Sequence, residues 1–354
     1  MKILVGMSGG VDSSVAALLL KQAGHEVIGA TMSIWSKDST FKAGPKNACY
    51  GPDEAHDIEE ARQVCEHIGI RYHVLDCAEL YEKIVLDNFR EEYLSGRTPN
   101  PCVRCNSQIK FGALPTVAAQ FGIEFDRFAT GHYARVELDD QTGRYLLKTA
   151  VDPKKDQTYF LYRLTQDKLA KAMFPLGGYV KSEVKEIARV SGLHVHDKEE
   201  SMDFYGGDYK ELLGVPIHEG NIVDREGNVV GKHEGIWNYT LGQRKGIRVA
   251  RPEPLYVVGL KQETNEVVVG SKDDTYHSSL VAENLNWIGI ESLKEQHSVD
   301  AKIRSSQTPR KATIRPTSDD TVFVEFESPQ NAITPGQSIV FYDGDVVLGG
   351  GIIR

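Results

Sequence analysis

The sequence has no apolar run approaching the roughly twenty residues of a membrane helix, so no membrane partner is expected. Cysteine is scarce and odd in number: Cys49, Cys65, Cys77, Cys102 and Cys105 are the five. Such a set argues against a disulfide framework and leaves reduced thiols, catalysis or metal binding as their uses. There is no internal repeat and no low-complexity tract. Basic charge is also short, with a net charge of -9, which argues against general adhesion to nucleic acid. The first ten residues already enter an apolar strand and a glycine turn, leaving no room for a signal peptide, so the expected compartment is the cytoplasm. What remains, 354 residues that are 40% hydrophobic and 26% charged, reads as a globular chain of two or three domains.

The charge is unevenly spread. Lys302 to Arg315 carries Lys302, Arg304, Arg310, Lys311 and Arg315 without an acid, and Arg244, Lys245, Arg248 and Arg251 form a second acid-free group. Basic islands on an acidic chain fit one docking face for a polyanion, or else solvated strand faces.

Ser8-Gly9-Gly10-Val11-Asp12-Ser13-Ser14 joins an apolar strand, Ile3-Leu4-Val5, to an apolar helix. Two glycines allow a tight turn, and a helix start offers unpaired N-H groups and a partial positive charge, together a seat for phosphate. No Lys-Ser or Lys-Thr pair ends the loop, so it is not a Walker A element. It is similar to the PP-loop of the ATP pyrophosphatases, which hold the β and γ phosphates as a leaving group and transfer AMP to a substrate oxygen. Under that likeness Ser8 and Ser13 supply hydroxyls and Asp12 holds Mg2+.

Residues 26 to 35 read as a second buried strand, with Met32 near its C-terminal end, placed either to pack the core or to touch an adenine. Ser36 to Pro52 reads as a long loop and Asp53 to Ile68 as a helix closed by Gly69, which puts Cys65 in the core. Cys77, ending the strand Arg71 to Asp76, is expected there too. Arg97 to Asn106 is punctuated by Pro99 and Pro101 and reads as a rigid irregular loop before a helix from Ile109 to Gln120. A strand ends in Thr130-Gly131-His132-Tyr133, a hairpin turns at Asp139 to Gly143, and Lys181 to Gly192 is a helix. Beyond Tyr205 short Val- and Ile-rich strands replace the strand-helix alternation. The expected fold is α/β: a parallel-sheet PP-loop domain (1–205), a small α+β linking domain (206–272) and a C-terminal β-barrel (273–354).

The PP-loop, Asn100-Pro101-x-x-x-Cys105-Asn106, Thr130 to Tyr133, Lys155-Asp156-Gln157, Gly242-Gln243-Arg244-Lys245-Gly246, Pro335-Gly336-Gln337 and Gly349-Gly350-Gly351 occur in order. Together they resemble the tRNA-specific 2-thiouridylase family over essentially the whole chain. The resemblance implies ATP-dependent adenylation of the C2 carbonyl oxygen of the wobble uridine, followed by sulfur transfer to give 2-thiouridine, AMP and pyrophosphate. It implies ATP contacts from Gly6, Met7, Ser8, Gly9, Gly10, Val11, Asp12, Ser13, Met32 and Gly131. The target base would lie at Asn100, Pro101 and Cys102, with tRNA contacts at Lys155, Asp156, Gln157, Arg304 and Ser305. Cys105 matches the catalytic cysteine, with Arg104 or the following helix start expected to lower its pKa. The partners implied are the anticodon loop of tRNA, with its base lifted from the stack, and a sulfur donor such as a cysteine desulfurase or relay protein.

Two departures bear on the sulfur chemistry. The stretch where the family carries a second catalytic cysteine is Glu200-Ser201-Met202-Asp203-Phe204-Tyr205, which has none, and the residue three before Cys105 is Cys102 rather than the usual Asp. Either Cys102 replaces the missing partner in a reversible disulfide with Cys105, or Cys49, Cys102 and Cys105 hold a 4Fe-4S cluster whose open iron binds hydrosulfide. Zinc with a histidine as fourth ligand is a further alternative. Two rivals stand beside the thiouridylase reading: an adenylating PP-loop ligase acting on a small metabolite, and an RNA-binding protein that keeps its nucleotide pocket for structure.

Overall fold

The computed structural model describes residues 1–36, 48–198, 203–318 and 320–354. The chain forms two compact units, the first made of residues 1–86, 101–211 and 345–348, the second of residues 87–100, 212–344 and 349–354.

The first unit is built on a five-stranded parallel sheet. It contains β1 (Lys2–Gly6), β2 (Glu26–Ser33), β4 (Arg71–Asp76), β5 (Arg127–Thr130) and β8 (Ala172–Met173), in the order β4-β2-β1-β5-β8. β1 lies centrally, paired with β2 through Leu4↔Ile28 and with β5 through Leu4↔Phe128. Ile3, Leu4 and Val5 are wholly buried, as a central parallel strand covered on both faces requires. Helix α1 (Val11–Gln22) packs Val15 and Ala16 into the same core as Ile3 and Val5, joined by Ala61 and Val64 of α2 (Glu54–Ile68). α2 ends where expected: Gly69 takes the left-handed conformation (φ 65°, ψ 51°), and the N-H of Ile70 closes back on the Cys65 carbonyl at 2.9 Å. Cys65 and Cys77 are both buried.

Two expectations fail in this unit. The stretch from Ser36 to Pro52 is not wholly loop, because Ala48–Tyr50 forms a short strand, β3, paired in parallel with β9 (Asp203–Tyr205); residues 37 to 47 lie outside the described residues. Three residues are too few to show a strand period, and the partner lies far along the chain. The second failure is at Pro101. The chain is helical over Pro101–Arg104, continues as a π-helix over Cys105–Ala113 and returns to α-helix over Leu114–Gln120. Proline at a first helical position costs nothing, since its missing N-H would have no intrahelical acceptor. Pro101 therefore starts regular structure, and Cys102 and Cys105 lie one turn apart on a helix rather than on a loop.

The second unit contains a four-stranded sheet, β11-β10-β13-β12, made from β10 (Gly220–Val223), β11 (Val229–His233), β12 (Tyr256–Lys261) and β13 (Glu266–Gly270). Its core gathers Ile222, Ile236, Val257 and Val267. Six further strands close on themselves: β14 (Tyr276–Trp287), β17 (Thr321–Asn331), β16 (Arg310–Ser318), β15 (His297–Lys302), β18 (Ser338–Asp343) and β19 (Val346–Ile353), which pairs back onto β14. The β14–β19 pairing closes these six strands into a barrel.

One close approach fixes the sheet end beneath the phosphate loop. A Cβ on Gly131, just past β5, would lie 2.6 Å from the Asp12 carbonyl carbon and from the Ser13 nitrogen. Gly131→Ala is expected to cost about 1–3 kcal/mol through this overpacking. A lowered midpoint of chemical denaturation with an unchanged slope checks it; an unchanged midpoint contradicts the packing described.

Candidate active site

The phosphate loop is held from inside. Ser13 is buried, its hydroxyl accepts the Ser8 N-H at 3.1 Å and lies 3.2 Å from the Ser8 hydroxyl, and the Ser14 hydroxyl donates to the Gly10 carbonyl at 2.8 Å. The Met7 N-H is spent on the Ala30 carbonyl at 2.9 Å. The first bond along α1 runs from the Ser14 N-H to the Gly10 carbonyl, so the N-H groups of Val11, Asp12 and Ser13 open the helix without intrahelical acceptors. Met7 and Val11 are themselves buried, and the Met7 carbonyl accepts the Thr31 hydroxyl at 2.8 Å, while Ser8 is exposed. Met32 is half-buried near the end of β2.

Three residues to which the sequence assigned no role of their own hold this loop, Tyr133 having been named only within its motif. Lys181, at the first position of the helix Lys181–Val190, reaches both carboxylate oxygens of Asp12 at 2.7 and 2.8 Å. The Tyr133 hydroxyl donates to the same carboxylate at 2.8 Å, and the Tyr133 N-H donates to the Gln157 side-chain carbonyl at 2.9 Å. On the other side Lys198 donates to the Gly9 carbonyl at 3.2 Å and to Asp57 at 2.6 Å, with Glu60 as a further partner. A Cβ on Gly9, whose φ is 69°, would meet the Asp57 carbonyl oxygen at 2.4 Å, so only glycine fits. The one sequence hint was Lys181 itself, since a cation in the first helical turn opposes the helix dipole and implies an anionic partner. Asp12, a single carboxylate beside a phosphate seat, suits Mg2+, which takes one or two carboxylates plus substrate oxygens.

Cys105 starts the π-helical segment. The residue is half-buried, and burial pushes its pKa up to about 11, with Lys110 pulling the other way. This corrects the expectation of a thiol activated by Arg104: that guanidinium is turned to the Ile84 carbonyl at 2.6 Å. Burial likewise holds Cys77 at about 11 and Cys65 at about 12, as for inert core thiols. His132 is kept well below the ordinary histidine range, first by burial and then by Lys110, and its Nδ1 lies 2.7 Å from the Thr130 hydroxyl. Lys110 thus acts electrostatically on both Cys105 and His132. Phe111, from the same segment, packs edge-on against Phe128 of β5 at 5.2 Å and lies 6.1 Å from the His132 ring. The thiol-bearing helix and the sheet end beside the phosphate loop share one packing core. Asn106 is buried, donates to the Phe160 carbonyl at 3.4 Å and leaves its Oδ1 without a partner.

Comparison with known proteins settles the kinship. Three family descriptions match in order: "tRNA methyl transferase HUP domain" over residues 1–205, "tRNA methyl transferase PRC-barrel domain" over 211–271 and "Aminomethyltransferase beta-barrel domain" over 277–353. The "tRNA-specific 2-thiouridylase MnmA" of Endomicrobium trichonymphae is 51% identical over 359 residues, covering 100% of this chain and 99% of that protein. "MnmA 2" of Clostridium tetani is 47% identical and the Clostridioides difficile protein 45% identical, each covering 100% of this chain and 98% of the relative. The chain belongs to the tRNA-specific 2-thiouridylase family.

As a 2-thiouridylase family member it departs from expectation in its metal chemistry. Among the described residues no three His, Cys, Asp or Glu side chains converge as a metal-holding group, so Cys49, Cys102 and Cys105 do not form the ligand set expected for a 4Fe-4S cluster, nor one for zinc. Cys49 lies on β3, not on a loop, and is exposed; the five cysteines form no disulfide. Ser201 and Met202 lie outside the described residues, whereas Tyr205 is buried on β9 and donates to Glu211 at 2.5 Å.

The residues expected at tRNA are divided. Asp156 accepts the Ala150 N-H at 3.1 Å and the Thr158 hydroxyl at 2.8 Å, and Gln157 holds Tyr133, so these two side chains brace the loop that presents Lys155. Pro101 and Cys102 belong to the first unit and Asn100 to the second. Within the second unit, Arg304, Gly242, Gln243, Gln337 and Thr98 line a cleft of about 410 Å³, and Gln337 donates to the carbonyls of Thr98 and Pro99 at 3.0 Å each. Two of the sequence motifs, Gly242 to Gly246 and Pro335 to Gln337, therefore meet there, with exposed Ser305 beside Arg304. The Lys302 to Arg315 island is less basic than it reads: Lys311 pairs with Asp300 at 2.9 Å, Arg315 with Glu325 at 2.6 Å, and Lys302 is buried. Cross-strand neighbours supply acids that a linear count misses. No described helix is long and apolar enough to cross a membrane.

With its pKa near 11, Cys105 is expected to react with iodoacetamide about tenfold faster per pH unit across the neutral range. Lys110→Met is expected to slow that alkylation at fixed pH, because it removes the cation that favours the thiolate. Peptide mass spectrometry after timed labelling checks both, and a pH-independent rate contradicts the raised pKa.

Proposed function

We propose that this protein thiolates the wobble uridine of tRNA, activating O2 of the uracil with ATP, releasing pyrophosphate, and replacing the adenylated oxygen at C2 by sulfur as AMP departs. The observation that carries the reading is the shared packing of the Cys105 helix and the β5 end, with Lys110 acting on both Cys105 and His132. A carbonyl oxygen is a poor leaving group, so activation must precede sulfur attack, and the two functions must lie in one unit. The N-H groups opening α1 receive the negative charge of the departing pyrophosphate, where a preorganised donor is worth most. Asp12 is the residue that would hold Mg2+, whose chemistry there is neutralisation of phosphate charge. Lys181, held on the same carboxylate, would be the cation beside that ion and the phosphate oxygens. Neutral His132 serves as a hydrogen-bond partner rather than a cation.

The tRNA contacts we assign are Lys155 on its braced loop and Arg304 with Ser305 at the second unit's cleft, while Asn100, Pro101 and Cys102 flank the splayed base. The sulfur comes from a persulfide donor of the cysteine desulfurase or relay class, and an odd set of five cysteines supports a cytoplasmic setting.

Incubated with an unmodified tRNA transcript, ATP and a persulfide donor, the protein is expected to make 2-thiouridine, read by nucleoside mass spectrometry. Cys105→Ser is expected to lower that product at least about 100-fold. Lys181→Met is expected to raise the KM for ATP and lower kcat together, by about 10- to 100-fold in kcat/KM, because it removes a charge from the phosphate seat. Full thiolation by Cys105→Ser, or pyrophosphate release indifferent to tRNA, overturns the assignment in favour of a small-molecule ligase.

A further inference from the structure

Sulfur delivered as a persulfide sits at the sulfane level, and freeing it as sulfide requires a second thiol to form a disulfide with the first. The segment ending at Tyr205 carries no cysteine. Its strand β9 nevertheless pairs with β3, in the register Ala48↔Asp203 and Tyr50↔Tyr205, so Cys49 stands beside Phe204 one strand away. β3 thereby brings a thiol to the place where β9 lacks one.

The same strand is tied to the Cys105 helix through aromatic packing. Tyr50 stacks on Tyr81 with ring centroids 5.2 Å apart and an interplanar angle of 16°, and lies 6.3 Å from Tyr205. Tyr81 ends helix α3 (Ala78–Tyr81), which runs into the π-turn Glu82–Leu86, and there the Ile84 carbonyl accepts Arg104 from the Cys102–Cys105 turn. Tyr81 thus packs on the residue next to Cys49, and the turn that follows it holds the segment leading to Cys105. The electrostatic influence of Cys49 reaches both the Cys105 thiol and the Tyr81 phenol. Accessibility separates the roles: Cys49 is exposed, as docking of a protein donor requires, whereas Cys105 is half-buried.

We propose that Cys49 is the thiol that accepts sulfur from the donor and then forms a disulfide with Cys105, doing from β3 what β9 has no residue to do. The inference rests on the thiolation reading above. In the first step a donor persulfide and the Cys49 thiol exchange to give the donor thiol and a Cys49 persulfide. Next the Cys105 thiol attacks the inner sulfur of that persulfide. The Cys49–Cys105 disulfide forms, the sulfur-sulfur bond of the persulfide breaks, and hydrogen sulfide leaves carrying the electron pair and the protons of the two sulfhydryls. The sulfide then adds at C2 of the adenylated uridine and AMP takes the electrons of the carbon-oxygen bond. A dithiol reductant restores both cysteines, becoming oxidised to its own disulfide.

The test uses the full chain with tRNA, ATP and a persulfide donor, in a single turnover without reductant, followed by non-reducing peptide mapping. A Cys49–Cys105 disulfide in the wild type is expected, formed in proportion to 2-thiouridine. Cys49→Ser is expected to lose about 100-fold in donor-dependent thiolation yet to recover when sodium sulfide replaces the donor, since sulfide bypasses the relay. A Cys102–Cys105 disulfide instead, or full donor-dependent activity in Cys49→Ser, overturns the proposal. The wild-type arm separates the two readings: absence of tRNA-dependent pyrophosphate release defeats the thiolation assignment, whereas its presence with the wrong disulfide defeats only the role of Cys49.

Discussion

The Asp12 carboxylate, pinned by Lys181 and the Tyr133 hydroxyl, is the contact on which the rest of the catalytic unit depends. It sits at the first turn of α1, where N-H groups without intrahelical acceptors make a seat for an anion. A loose turn there would fold onto its own donors, so both flanks are tethered, one by Lys181, the other by Lys198 on the Gly9 carbonyl and Asp57. These are charge-assisted bonds between half-buried partners, each worth more than an exposed pair because water competes less. The seat is built before any nucleotide arrives, which is how preorganised donors lower a barrier.

That constraint runs outward to the substrate-facing parts of the first unit. Gln157 fixes the Tyr133 backbone, and Asp156 fixes the turn before it, so the loop carrying Lys155 is braced from the residue that also holds Asp12. On the far side of β5 the π-helical segment joins Cys105 to the sheet through Phe111 and Phe128. A π-turn lets a helix place side chains where α-geometry cannot, and such turns gather at functional sites. Lys168 caps the segment by donating to the Ser107 carbonyl at 2.5 Å. Burial keeps the Cys105 thiol largely protonated near neutral pH, and Lys110 biases it toward ionisation.

In the second unit, strand closure and motif convergence are one event. β14 and β19 join edge to edge through Trp287↔Gly349 and Asn286↔Gly350, and a Cβ at Gly349 would stand 2.4 Å from the Asn286 carbonyl oxygen. The triple glycine is therefore a closure device. Just before β18, Gln337 ties the Thr98 and Pro99 carbonyls, and the cleft lined by Gln243 and Arg304 opens beside it. Its one clear cation, Arg304, is oriented by the Ala332 carbonyl at 2.7 Å.

The sequence alone determined what depends on near neighbours: the strand-turn-helix of the phosphate loop, the Gly69 stop of α2, the core placement of Cys65 and Cys77, the hairpin around Asp139, and the passage from alternating α/β to all-β chain. These rest on periodicity and on residues whose backbone preferences act within a few positions. Tertiary structure alone decided the rest. Lys181 and Lys198 are far from Asp12 and Gly9 in the chain, so no local pattern pairs them. Acids opposite Lys311 and Arg315 come from other strands, which hid the true charge of the basic island. The Cys105 pKa lies above the ordinary thiol value because burial outweighs Lys110, and burial is a property of packing. Cys49 gained its neighbours only when three residues of β3 found β9, a pairing of about 150 residues' separation whose entropy cost is repaid only in the folded chain.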